Sequence, residues 1–396
     1  MATLEPVGNH RRPSICLMTR QFLSNLAIVR EHVWGLVLIS AATSRVTRAV
    51  SGWLITLLGL ALFAAGCTTA GQGTSGVGHQ GLPSNCTHTI TRADDVPTAL
   101  EGASAGDTLC FSGDDLADAE MTMTKSGTTA APIRLVSDGS TVREVQIKAD
   151  DVILEGFTVT GGGGILLEGT GLTARSNIVH DTQQGGITCH PCTDSTIESN
   201  TMTHVATNGI EITGTRITVH GNSISDTVPV GDGDADGVRF YGNGFRISDN
   251  TVFDISAEGY SSAPHPDCFQ TFDQNRPATF DIVISGNTCR NVDAQCLIAT
   301  GDQNGNGGAP AGVPSIIFQN NMCANNGAQA VNLRRWPNVQ VLHNTFSGPN
   351  LTRAVLIADG STGSTVIGNT TTGDRPTVEV DGSSRPGSHV EDSRPA

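Results

Sequence analysis

Two short segments gather side chains able to do chemistry: Gly231-Asp-Gly-Asp-Ala-Asp-Gly-Val-Arg-Phe-Tyr241 and Ala263-Pro-His-Pro-Asp-Cys-Phe-Gln-Thr-Phe-Asp273. Asp236 precedes Val238 by two residues, and Asp267 precedes Phe269 by two. If Val238 and Phe269 are equivalent core positions on neighbouring strands, the two carboxylates lie roughly 5 Å apart. They cannot both ionise cheaply at that distance, so one is driven toward its protonated form or a cation binds between them. The plain alternative is a polar ladder with Asn208, Gln295 and Gln329 in the same column. His265, held between two prolines, has the ordinary range of a proton shuttle at neutral pH. Arg239, Asp293 and Asp302 complete the titratable set. Asp232, Asp234 and Asp236 also match the first half of a calcium loop, although Asn243 stands where the closing Glu belongs and a strand follows. A weaker copy of that pattern runs through Asp302, Asn304 and Asn306.

The elements that must position these groups are legible as a repeat. An Asn recurs in matching contexts at positions 177, 200, 222, 250, 287, 321, 344 and 369, with a shortest separation of 22 residues. Upstream of each Asn, apolar residues alternate: Ile165/Leu167, Ile187/Cys189, Ile210/Ile212, Val238/Phe240, Phe269/Thr271, Leu297/Ala299, Val331/Leu333 and Val355/Ile357. Period two means short strands with one buried face. A repeat this short has room for turns but not for helices between them. Coiling the units stacks each strand on its equivalent about 4.8 Å away and turns the Asn residues into a ladder at one corner. The fold expected is all-β, a right-handed parallel β-helix.

This pattern resembles the pectate-lyase-like β-helix superfamily, which includes the polygalacturonases, over about residues 86–372. The stretch Val96-Pro-Thr-Ala-Leu-Glu-Gly-Ala-Ser-Ala-Gly-Asp-Thr-Leu-Cys-Phe-Ser-Gly113 is similar to the family's opening. The resemblance implies a short N-terminal capping helix, then Gly-Asp-Thr and the first strand. It also implies action on polysaccharides. The Asn-Thr-Asp and Arg-Ile-Lys motifs of polygalacturonases are absent from the groove described below, so pectin specificity does not carry over.

Cysteines test the register. Cys289 and Cys323 each follow their repeat Asn by two, and Cys268 and Cys296 directly precede Phe269 and Leu297. Each pair should stack within disulfide reach. Cys86 with Cys110 would tie the cap, and Cys189 with Cys192 would close a local loop.

Insertions mark the place for a site, because loops on a rigid scaffold carry function. The connection from Asn to core strand lengthens from about 10 residues to 16 before Val238 and 19 before Phe269. From core strand to Asn it lengthens to 18 after Phe269 and 24 after Leu297. All four fall on consecutive rungs and should wall a groove. Outward positions are Glu211, Arg239, Gln270 and Asn332 in one row, and His190, Tyr241, Phe272 and Arg334 in the next. Both tyrosines of the chain, Tyr241 and Tyr260, and the late Trp336 fall nearby, and flat rings stack on sugar faces.

A formal charge of -15 makes nucleic acid a poor partner. Residues 1–67 read as an N-terminal extension and export signal, with an apolar run over 53–66 and a lipobox-like Ala-Ala-Gly-Cys ending at Cys67, the expected lipidation site. Residues 68–85 read as a flexible linker and 373–396 as a disordered tail. The expected protein is exported, lipid-anchored on the extracytoplasmic face or secreted, and monomeric, with a polysaccharide as its partner. Three functions fit these residues. A glycoside hydrolase would use Asp236 and Asp267, or Asp293, as acid and base. A calcium-assisted lyase or epimerase would use Arg239, His265 or Tyr241 on the C5 proton. A glycan-binding surface protein would use the groove without catalysis.

Overall fold

The computed structural model describes residues 81–302, 309–372 and 377–391. The export signal, Cys67 and most of the linker lie outside these residues, as do Asn304 and Asn306. Within them, 32 strands run from β1 (His88–Ile90) to β32 (His389–Val390), and every named strand pairing is parallel. They form a β-helix whose strands stack in three columns, one making a 13-stranded sheet and two merging into a 19-stranded sheet. The expected fold class is observed.

The register matches the repeat residue for residue. Ile165 pairs with Ile187, Ile187 with Ile210, Ile210 with Val238, Val238 with Phe269, Phe269 with Leu297, Leu297 with Val331 and Val331 with Val355. These side chains are buried and fill the tube. The cap is the helix α1 (Val96–Gly102), which buries Val96 and Leu100 over the first rungs. Its place at the entrance covers core that an open tube end would expose.

The eight repeat Asn residues form a continuous buried ladder. Asn222 shows the pattern: its Oδ1 accepts from both N–H and Nδ2 of Asn200, at 2.9 and 3.0 Å, while its own Nδ2 donates to Ile197 O and to Asn250 Oδ1. The chain turns into the ladder through a left-handed residue at the preceding position, such as Ser176, Ser199, Asp249, Asn320 and His343. That conformation favours Gly and short polar residues, which accounts for the Ser-Asn, Asp-Asn and Gly-Asn phrases of the sequence.

Two expectations are corrected. Cys289 does lie in register with Cys323, yet the disulfides join Cys268 to Cys289 and Cys296 to Cys323, with Cα separations of 6.1 and 5.9 Å. Stacked side chains run parallel at the rung spacing of about 4.8 Å, whereas a disulfide wants Cβ atoms about 3.8 Å apart and facing each other. Inward cysteines on two different columns meet that need. Cys86–Cys110 and Cys189–Cys192 form as expected. The tail also differs, since Val378–Val380 and His389–Val390 add a last rung to the strands before them. An open strand edge pairs with backbone whatever its side chains, and Val378 and Val380 pack against the core.

Two measurements check this fold. Replacing Asn250 by Ala removes the side-chain bonds to the rungs on either side and should lower stability by about 2–4 kcal/mol, read as a denaturant midpoint at unchanged slope. Non-reducing peptide mapping should recover Cys268 linked to Cys289 and Cys296 linked to Cys323; a Cys289–Cys323 peptide would contradict the cross-column pairing.

Candidate functional site

The expected groove face is the outer face of five strands: β13 (Asn208–Thr215), β16 (Asp236–Asn243), β19 (Phe269–Phe272), β22 (Leu297–Thr300) and β25 (Gln329–Arg334). Insertions flank it on both edges. Residues 226–235 and 256–268 lead into β16 and β19, residues 273–281 leave β19, and residues 301–302 and 309–315 belong to the connection after β22. Glu211, Arg239 and Gln270 align across β13, β16 and β19 as one outward row, as the alternation requires.

At the entrance to these strands the polar column holds Asn208, paired with Asp236, then Asp267 and Gln295. Asp236 Oδ1 accepts the N–H of Asp267 at 2.8 Å, and Asp267 Oδ1 accepts the N–H of Gln295 at 2.7 Å. The two aspartates are therefore neighbours, as expected, and they also build the polar ladder that was the plain alternative. Both are fully buried. They lie beneath the groove floor, not on it. Gly237 permits this close stacking, since a Cβ there would come within 2.7 Å of the Cys268 carbonyl oxygen.

A carboxylate in such a ladder differs from an amide in one respect: it has no donor and one acceptor oxygen left over. Each spare Oδ2 recruits a groove side chain. Arg239 Nε lies 2.5 Å from Asp236 Oδ2. His265 Nδ1 lies 3.0 Å from Asp267 Oδ2, with Gln270 Nε2 at 3.4 Å. The 256–268 loop is fixed in turn by Asp234, whose Oδ1 accepts the N–H of His265 at 2.9 Å.

Burial outweighs the Arg239 charge and leaves the Asp236 carboxyl raised to about 8, and it likewise outweighs the bond and charge of His265 and leaves the Asp267 carboxyl raised. The bond to Asp267 raises His265 to about 9 against the opposing effect of desolvation, so the imidazole is protonated at neutral pH. Its Nδ1–H then donates to Asp267. Its Nε2 has no partner among the described residues, and the side chain is 51% exposed. The arrangement thus presents one mobile proton to the groove on a ring whose orientation a buried carboxylate fixes.

Other expected site residues fall differently. Tyr241 is fully buried: Phe272 packs edge-on at 5.0 Å, and the Arg276 guanidinium from the 273–281 insertion lies 4.1 Å over the ring. Burial, ahead of the neighbouring charges, raises its phenol above the usual range. Trp336 is also fully buried, because left-handed Arg335 ends the alternation of β25 and turns the next side chain inward. Neither ring is a platform for sugars. Tyr260 is exposed and Phe272 half-buried. Arg334 ion-pairs with Asp359 at 2.9 Å. Asp293 is spent on bracing loops: burial raises its carboxyl, but bonds from Asn326, the Ala257 N–H and Ser256 outweigh that and hold it below the ordinary range. None of those bonds reaches the aspartate pair. The calcium set does not converge, since Asp232 is exposed on its loop, Asp234 anchors His265 and Asp236 is buried and paired with Arg239. Among the described residues no group of three or more His, Cys, Asp or Glu side chains is arranged to hold a metal ion.

Arg276 was missed. Its signal was available, because it is the single Lys or Arg in the four insertions and His265 the single His.

Residues 163–308 match the family described as right handed beta helix region. The β-helix is similar to the crystal structure of an alginate lyase from Paenibacillus sp. str. FPU-7, at 14% identity over 75% of this chain and 99% of that one, with a TM-score of 0.48. It is also similar to the tailspike protein of E. coli bacteriophage HK620 in complex with pentasaccharide, at 12% identity over 75% of this chain and a TM-score of 0.46. The chain spans 60% of the tailspike's length. No curated protein matches the sequence.

The dyad has a titration signature. The His265 imidazole should titrate near 9 by NMR and fall toward 6.5 in Asp267→Asn, which keeps the ladder acceptor but removes the charge. A histidine raised on folding stabilises fully below its unfolded value and loses that contribution as pH rises through the folded one, so the wild-type advantage over Asp267→Asn should shrink between about 6.5 and about 9.

Proposed function

We propose that this right-handed parallel β-helix protein is a polysaccharide-cleaving enzyme, hydrolytic in type, that binds a glycan across β13, β16, β19 and β22. The observation that carries the reading is the His265–Asp267 couple. It presents a half-exposed protonated imidazole, braced by a buried carboxylate, on a polar groove between insertions. A general acid needs its proton at working pH and a fixed direction for delivering it, and both conditions favour His265 as donor to the glycosidic oxygen.

Asp267 then acts as a positioning residue, and Asp236 holds Arg239 in the same way. Neither buried carboxylate touches the sugar in this reading, which replaces the paired-aspartate mechanism expected from sequence. Glu211 is the carboxylate of the outward row, with 17% of its side chain exposed. It stands two rungs before Gln270, roughly 10 Å along the tube, and in this reading it is the group that activates water.

His265→Gln should reduce kcat by about 10²–10⁴ with little change in binding. The kcat/KM of the wild type should be level at neutral pH and fall with a midpoint near 9, and in Asp267→Asn that midpoint should move toward 6.5. Reducing ends without unsaturated products would support hydrolysis. Unsaturated ends, with a rate that rises toward pH 9, would show His265 acting as a base and the reaction to be elimination. Glycan binding with no turnover would make the protein a binder.

A further inference from the structure

We propose that Arg276 forms a binding site for an anionic substituent on a sugar, a carboxylate, so that the groove selects an acidic polysaccharide. This rests on the groove being the glycan-binding surface. Arg276 comes from the insertion after β19 and is held by ring faces: its guanidinium carbon lies 4.1 Å from the Tyr241 centroid and 5.4 Å from that of Phe272. A guanidinium stacked flat on aromatics keeps its N–H donors around the edge of its plane. Those donors are unfilled. The Glu211 Oε1 is 3.6 Å away, outside hydrogen-bond distance, and the guanidinium makes no hydrogen bond among the described residues, with 28% of the side chain exposed. Arg239 offers the contrast, with its Nε on Asp236 and only 15% of its side chain exposed.

A second observation points the same way. The hydroxyls of Tyr241 and Thr213, register neighbours on β16 and β13, are buried and have no hydrogen-bond partner. Two unpartnered hydroxyls, one of them on the ring that Arg276 covers, mark buried hydrogen-bonding capacity that the protein does not itself fill. The guanidinium fork matches a carboxylate in two parallel bonds, stronger than its loose pairing with Glu211. A sugar carboxylate seated there would also draw Arg276 away from Glu211, freeing that residue for its water.

The test is calorimetry on the full chain carrying His265→Gln, which stops turnover. The probes are a 1,4-linked hexuronate tetramer, its carboxyl-reduced neutral counterpart and an O-sulfated neutral tetramer. The uronate should bind at least about 10-fold more tightly than the neutral tetramer. Adding Arg276→Gln should abolish that preference and leave neutral binding unchanged, and Arg276→Lys should restore part of it. Glu211→Gln, which removes the competing carboxylate, should tighten uronate binding and keeps the proposal testable if Arg276→Gln does not fold. Stronger Arg276-dependent binding of the sulfated tetramer would support the anion site with a sulfate ester as its occupant. Equal binding of uronate and neutral tetramers, or a preference that survives Arg276→Gln, would overturn it. Cleavage of neutral glycans without acidic preference would sink this proposal and leave the hydrolase reading standing, whereas Arg276-dependent uronate binding by a wild type that cleaves nothing would do the reverse.

Discussion

A coil of short parallel strands has to satisfy backbone groups at every corner where the chain leaves one strand and enters the next, and in this protein the Asn ladder does so. Each amide accepts from the rung before and donates to carbonyls and to the rung after, so no layer can slip without stranding buried donors and acceptors on its neighbours. Register then fixes everything that depends on alternation: which side chains fill the tube, which face the groove, and which residues of distant sequence become neighbours.

The groove arises where a second polar column departs from amides. Asn and Gln can serve a ladder through both an oxygen and a nitrogen. Asp236 and Asp267 offer only oxygens, and their spare Oδ2 atoms organise Arg239, His265 and Gln270 above them. A structural role and a chemical one therefore reside in the same residues. The ladder bonds hold the carboxylates still, and the carboxylates hold the groove's cations in place. Low dielectric around the pair strengthens each of these links and makes any unpartnered charge there expensive.

Much of this was legible in the chain. Recurring Asn residues gave the layers, period-two apolar residues gave the core, and the adjacency of Asp236 and Asp267 followed from counting back to Val238 and Phe269. The errors share a cause. Alternation says which way a side chain points while the strand lasts, but it is silent on what a loop does afterwards. Tyr241 points outward and is still buried, because the 273–281 insertion folds back to place Arg276 on it. Trp336 follows the strand's end, where left-handed Arg335 reverses the expected direction. Cysteines in register stack as counted, yet they bond across columns because parallel side chains do not face each other.

By itself the sequence determined the layer length, the strand register, the corner residues and the rungs on which a site is built, since these follow from local spacing and the hydrogen-bonding capacity of Asn. Only the tertiary structure decided which acids are sealed and which proton carrier is open, that Asp293 and the Asp232–Asp234–Asp236 set serve elsewhere, and that Arg276 reaches the groove. Those outcomes depend on burial and on the path of long insertions, quantities set by the packing of neighbouring rungs rather than by any repeat along the chain.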